Sequence, residues 1–99
     1  MPKFVVSLRL PALFTQEFMA LIPSHWALIQ QLIEEHVIET YAISADRTRG
    51  WITINADDAA AVQAVVERFP LYSFLTEVEI DELFIFDSAK SRFPRLSLN

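Results

Sequence analysis

Two hydrophobic repeats alternate along this chain, and their order limits what it can fold into. In Lys3 to Leu10 (KFVVSLRL) the period is two. Phe4, Val6, Leu8 and Leu10 share one face, and Lys3, Val5, Ser7 and Arg9 share the other, as in a strand. From Thr15 to about His36 the repeat becomes helical: Phe18, Leu21, Ile22, His25, Leu28, Ile29, Leu32 and His36 fall on one broad face at 100° per residue. Val37 to Ala45 and Trp51 to Ala56 read as a second and a third strand. Val62, Val65, Val66 and Phe69 follow helical spacing again, and Glu77 to Phe86 reads as a fourth strand.

The boundaries are marked by residues with a mechanism. Pro11 stops the first strand. Pro23 removes a backbone donor inside the first helix, which predicts a kink or two abutting helices, with Ser24 capping the second piece. Asp57 or Asp58 caps the second helix, and Pro70 ends it. The link DRTRG joins antiparallel neighbours, and Gly50, the single glycine, is expected to supply a positive φ there. The resulting order, β-α-β-β-α-β, is an α+β arrangement of the ferredoxin-like type. It places a four-stranded antiparallel sheet under two helices that share one face. The other face lacks a cover, and a second copy of the chain is expected to supply one, giving a homodimeric α/β barrel. Residues 1–87 form this domain; 88–99 read as a C-terminal arm docked through Phe93 and Leu96.

Composition narrows the classes. The chain has 99 residues, enough for one domain. Its hydrophobic share of 53% exceeds the usual figure of about 45–50%, so part of the excess is expected on a partner-facing surface. There is no cysteine, which excludes disulfides and thiolate chemistry and leans toward the reducing cytoplasm. A net charge of −5 with scattered basic residues argues against nucleic-acid binding. The opening MPKFVVSLRLP lacks a signal-peptide pattern, and no apolar run reaches the roughly 18 residues of a membrane span. No phosphate-binding glycine loop, dinucleotide fingerprint or zinc-ligand spacing is present.

At PLYSFLTEVEIDEL, Pro70 to Leu83, the chain resembles the muconolactone isomerase-like branch of the dimeric α/β-barrel superfamily. The opening FVVSLRLP is similar to that family's first strand, and the likeness extends to about Asp87. It implies a ferredoxin-like protomer, a sheet-to-sheet dimer, possible higher assembly, and a small-molecule pocket between sheet and long helix. It also implies proton transfer on a small lactone acid without metal or organic cofactor. One departure stands out. The family's glutamate-lysine pair on the long helix aligns with His25 and Trp26, so that chemistry does not carry over. The chain then uses His25 instead, acts on something else, for example as a cofactor-free oxygenase, or is a non-catalytic binding or oligomerisation module.

His25 is the candidate catalytic residue. It sits mid-face on the long helix and aims at the sheet, where an imidazole serves either as a hydrogen-bonded core group or as a general base. His36 lies eleven residues on, about 16 Å along the axis, too far to share a metal ion with His25. It reads as a helix C-terminal residue. Ser7 and Arg9, on the face away from Phe4, Val6 and Leu8, are candidates for substrate binding inside the dimer barrel; an ion pair with the acidic fourth strand is the alternative for Arg9. Tyr41, Trp51 and Thr53 have the character of pocket-lining residues, though aromatic residues in strands also serve plain packing. Arg47 either sits in a polar turn, paired with Asp46, or leans over the barrel mouth to attract a carboxylate.

Overall fold

The alternation in KFVVSLR builds the centre of the sheet. The computed structural model describes residues 1–89. In it Lys3–Arg9 forms β1, with Phe4, Val6 and Leu8 buried on one face. Gln16–Glu34 forms α1, Ile38–Ile43 β2, Arg49–Asn55 β3, Ala59–Glu67 α2 and Glu77–Glu82 β4, with a short 3₁₀ turn at Tyr72–Phe74. The strand order is β2-β3-β1-β4, every neighbouring pair antiparallel. Two split β-α-β units therefore interleave, which is the ferredoxin-like fold.

Both helices cover the same face. Phe4, Val6, Leu8, Ile38, Ile52 and Ile54 from the strands pack with Ile29 and Leu32 of α1 and with Val62 and Val66 of α2. Burying each such side chain stabilises the fold by about 1.5–3 kcal/mol before chain entropy is counted.

α1 corrects the sequence reading: it runs unbroken through Pro23. Pro23 and Met19, whose carbonyl the missing N–H would have met, are both exposed, so solvent can satisfy that carbonyl. Ser24 caps nothing; its Oγ donates back to the Leu21 carbonyl at 3.0 Å. The real N-cap is Thr15, whose side chain accepts from Phe18 N at 3.2 Å. In α2 the cap is Asp58, which accepts from Ala61 N at 2.8 Å. α1 ends in a Schellman motif: His36 N donates to Ile33 O at 3.1 Å and Val37 N to Leu32 O at 2.9 Å. His36 holds the left-handed position of that motif, with φ 61°.

Gly50 also departs from expectation. It has no positive φ and lies inside β3, opposite Leu8 on one side and Ile43 on the other. A Cβ there would come within 2.8 Å of Leu8 Cδ1 and 2.9 Å of Ile43 Cδ1. The glycine therefore makes room for the core side chain of Leu8 and for Ile43 beside it. The positive φ of the turn belongs to Arg47, at 65°. β3 starts at Arg49, two residues before the alternation shows it, and β4 ends at Glu82, short of Phe86. Phe93 and Leu96 of the expected arm lie outside the described residues.

Candidate functional site

The first half of α1 and the far end of the β2–β3 hairpin do not close on each other, and a cleft of about 300 Å³ lies between them. Phe18, Ile22 and His25 point into it because they sit four and three residues apart on the inner face of α1. Trp26 forms one lip, half-exposed, with its ring 5.7 Å from that of Tyr41. Phe14 stacks on Phe18 at 4.3 Å between centroids, just before the helix. Leu10 and Leu71 close the floor, and Ile43 and Arg47 form the hairpin side.

Tyr41 reaches the cleft through a bulge. The β2–β3 register shifts between Ile38 and Thr40. Ile38 pairs with Ile54 and Tyr41 with Ile52, so both face the helices although three residues separate them. Tyr41 can then meet α1: its Oη lies 3.2 Å from His25 Nε2. The other imidazole nitrogen, Nδ1, is buried and has no partner among the described residues. His25 itself is only 7% exposed and lies edge-on to Phe69, centroids 5.4 Å apart.

Burial decides the protonation of this pair. Desolvation pushes the His25 imidazole below its usual value and the Tyr41 phenol above its own. Both are neutral near pH 7. Either Nε2 accepts the tyrosine proton, or Nε2–H donates to Oη and leaves Nδ1 with a bare lone pair. The first arrangement sets an uncharged acceptor nitrogen against a hydroxyl proton donor inside an apolar wall.

Arg47 lines the same cleft as this pair. Its expected partner Asp46 is otherwise engaged: one carboxylate oxygen accepts from Ser44 Oγ at 2.8 Å, Thr48 N at 3.0 Å and Thr48 Oγ1 at 2.7 Å. These bonds hold the Asp46 carboxyl below the usual carboxylate range. No ion pair involving Arg47 occurs among the described residues.

Ser7, Arg9 and Trp51 are not brought to this cleft. They project from the opposite, helix-free face of the sheet, where Ser7 faces Trp51 on β3 and Glu79 on β4. Arg9 Nε pairs with Glu77 at 3.0 Å, and Arg49 lies over the Trp51 ring at 5.5 Å. Lys3 pairs with Glu39 at 2.9 Å on that face. Thr53 also points there, bonded through Oγ1 to the Thr40 hydroxyl at 2.7 Å. Sequence reasoning missed Phe14 and Leu71 as lining residues, because both stand between elements, where periodicity is silent; Leu10 it placed on the inner strand face without assigning it to a pocket. No group of three His, Cys, Asp or Glu side chains among the described residues could hold a metal ion. No helix there is long and apolar enough to cross a membrane.

No family model matches the sequence, and no curated protein matches it significantly. Solved structures do match in fold. Muconolactone isomerase superimposes with a TM-score of 0.68 at 19% identity, covering 88% of this chain and 93% of that one. The 5-chloro-2-hydroxyhydroquinone dehydrochlorinase of Burkholderia phenoliruptrix AC1100, solved with 2,5-dihydroxybenzoquinone, gives 0.66 at 14% identity, covering 90% and 97%. The chain is thus a ferredoxin-like α+β protein. More narrowly, it shares the fold of muconolactone isomerase over 88% of its length.

Proposed function

We propose that the cleft binds a small cyclic organic acid or lactone and moves a proton on it. The observation that carries this reading is the neutral His25–Tyr41 pair, 3.2 Å apart, inside an apolar cleft lined also by an arginine that has no ion pair among the described residues. Arg47 holds the acid group in two parallel hydrogen bonds. The aromatic walls Phe14, Phe18 and Trp26 hold the ring. Nδ1 is buried, so the substrate meets the imidazole on its Nε2 side, where Tyr41 stands.

His25 is the base and Tyr41 its relay. The phenol passes its proton to Nε2 as Oη takes one from a substrate carbon beside a carbonyl. The C–H electron pair shifts the ring double bond, and the imidazolium returns its proton at a second carbon through the same route. The reaction is an isomerisation with no net redox change. A low proton affinity keeps His25 unprotonated and ready to accept at pH 7. Two structural relatives whose names tie them to small oxygenated rings, a lactone and a hydroxyhydroquinone, support this class of ligand.

The protein acts as a homodimer in the cytoplasm on this proposal. Both signs of charge stand on the helix-free sheet face, with Arg9 and Arg49 beside Glu77 and Glu79, a layout that a two-fold copy can complement. Should the cleft prove inert, this face leaves the chain a non-catalytic oligomerisation module.

The test is conversion of muconolactone by the wild type and by His25→Ala and Tyr41→Phe. Removing the base is expected to cost about 10²–10⁴ in rate, with the helical circular dichroism retained. Equal turnover by folded His25→Ala would overturn the assignment of the base.

A further inference from the structure

A second cavity adjoins the cleft. It encloses about 310 Å³ between the β1–α1 loop and the β2–β3 turn, and is lined by Pro11, Ala12, Leu13, Asp46 and Thr48 together with Phe14 and Arg47. Those last two residues also line the cleft. The two cavities therefore share one boundary, a threshold made by the Phe14 ring and the Arg47 guanidinium.

The threshold is held in place. Leu10 N donates to Thr48 O at 2.9 Å, which fastens the loop's root to the turn. Arg47 N donates to Ser44 O at 2.9 Å, closing the turn on Arg47 itself. Asp46 bonds Ser44 and Thr48 through Oδ1 and forms no ion pair with Arg47 among the described residues. A left-handed backbone at an arginine costs free energy that glycine or asparagine would lower, and such strain persists most often where a side chain is wanted in place.

The compartments differ in chemistry. The cleft offers hydrocarbon walls with His25 and Tyr41 at its inner end, whereas the outer cavity mixes Asp46, Thr48 and Arg47 with small apolar groups. A one-ring acid occupies only part of this combined space. We infer that the ligand is an elongated amphipathic acid, its ring seated in the cleft against His25 and Tyr41, and its longer acid-bearing arm passing Phe14 into the outer cavity, with the carboxylate on Arg47. This rests on the cleft reading above and extends it from a compact acid to one with a chain of several atoms between ring and carboxylate.

Two simple acids separate the ideas: benzoate, which fills the cleft alone, and 4-phenylbutyrate, which reaches both compartments. Each is titrated into ¹⁵N-labelled protein while backbone amide resonances are followed. 4-Phenylbutyrate is expected to bind at least about tenfold more tightly than benzoate, because its three extra methylenes leave water. It should shift the Ala12, Leu13 and Thr48 amides along with those of His25 and Tyr41. Ala12→Trp, a change on an exposed loop residue, should cut the affinity ratio below about threefold by narrowing the outer cavity. If both acids shift His25 and Tyr41 with equal affinity and Ala12, Leu13 and Thr48 stay still, the elongated ligand is wrong and the cleft reading survives. If neither acid moves His25 or Tyr41, the cleft reading fails and takes this inference with it.

Discussion

His25 ties function to stability through one physical cause. Burial lowers its proton affinity in the folded state, while the unfolded chain keeps the ordinary value of 6.5. Below that value the unfolded state binds the proton first, so acid favours unfolding. The contribution of neutral His25 is complete above pH 6.5 and is lost as pH falls toward the lowered native value. The urea midpoint of the wild type should therefore drop between pH 7.5 and 5.5, and that of His25→Gln should drop less. Equal slopes would mean that His25 is not buried as a neutral base. Gly50 makes the second residue-scale prediction. Gly50→Ala presses on Leu8 and Ile43, both flexible side-chain ends, and should cost about 1–2 kcal/mol in urea denaturation. A neutral effect would place the glycine elsewhere than under those side chains.

At the scale of elements, the end of α1 invites a stabilising change. His36 holds a left-handed position that glycine adopts without strain, and its hydrogen bond from Asn55 Nδ2, 2.9 Å, goes to a backbone carbonyl that any residue keeps. His36→Gly should raise stability by about 0.5–1 kcal/mol, read from the denaturation midpoint. A loss of stability would show that the imidazole itself matters. The elements also show what the sequence could reveal. The order of two periodicities was enough for the fold, because buried faces of strands and helices must repeat at two and near 3.6 residues. His25 was legible for the same reason: its angle on α1 aims it inward whatever the detail. Tyr41 could be chosen only by its character, since the bulge at Ile38–Thr40 breaks the period that would assign its face. The positive φ of the turn was given to Gly50 because glycine tolerates it most easily; the close packing of Leu8 and Ile43, invisible in sequence, had the stronger demand. Ser7, Arg9 and Trp51 were grouped with His25 by chemistry, and strand parity separates them by the thickness of the sheet.

At the scale of the whole molecule, the cleft and the proposed dimer face come apart. The cleft lies between α1 and the β2–β3 hairpin on the helix-covered side, whereas Ser7, Arg9 and Trp51 project from the opposite side of the sheet. Ile22, Trp26 and Ile43 expose apolar surface at the cleft, whereas the sheet face shows Trp51 among charged side chains. Trp51→Glu should shift the proposed dimer toward monomer in sedimentation equilibrium and leave ligand binding in the cleft intact. Loss of binding on dissociation would instead mean that the partner completes the site.

The account stands most directly on whether a small cyclic acid reaches His25 under the hold of Arg47. Muconolactone titrated into the protein, with the His25 ring-proton resonance followed by NMR, measures this. The expected result is a saturable shift of that resonance in the wild type and a loss of affinity of about tenfold or more in Arg47→Ala. A His25 resonance that stays fixed at saturating muconolactone, in protein that remains folded, would contradict it.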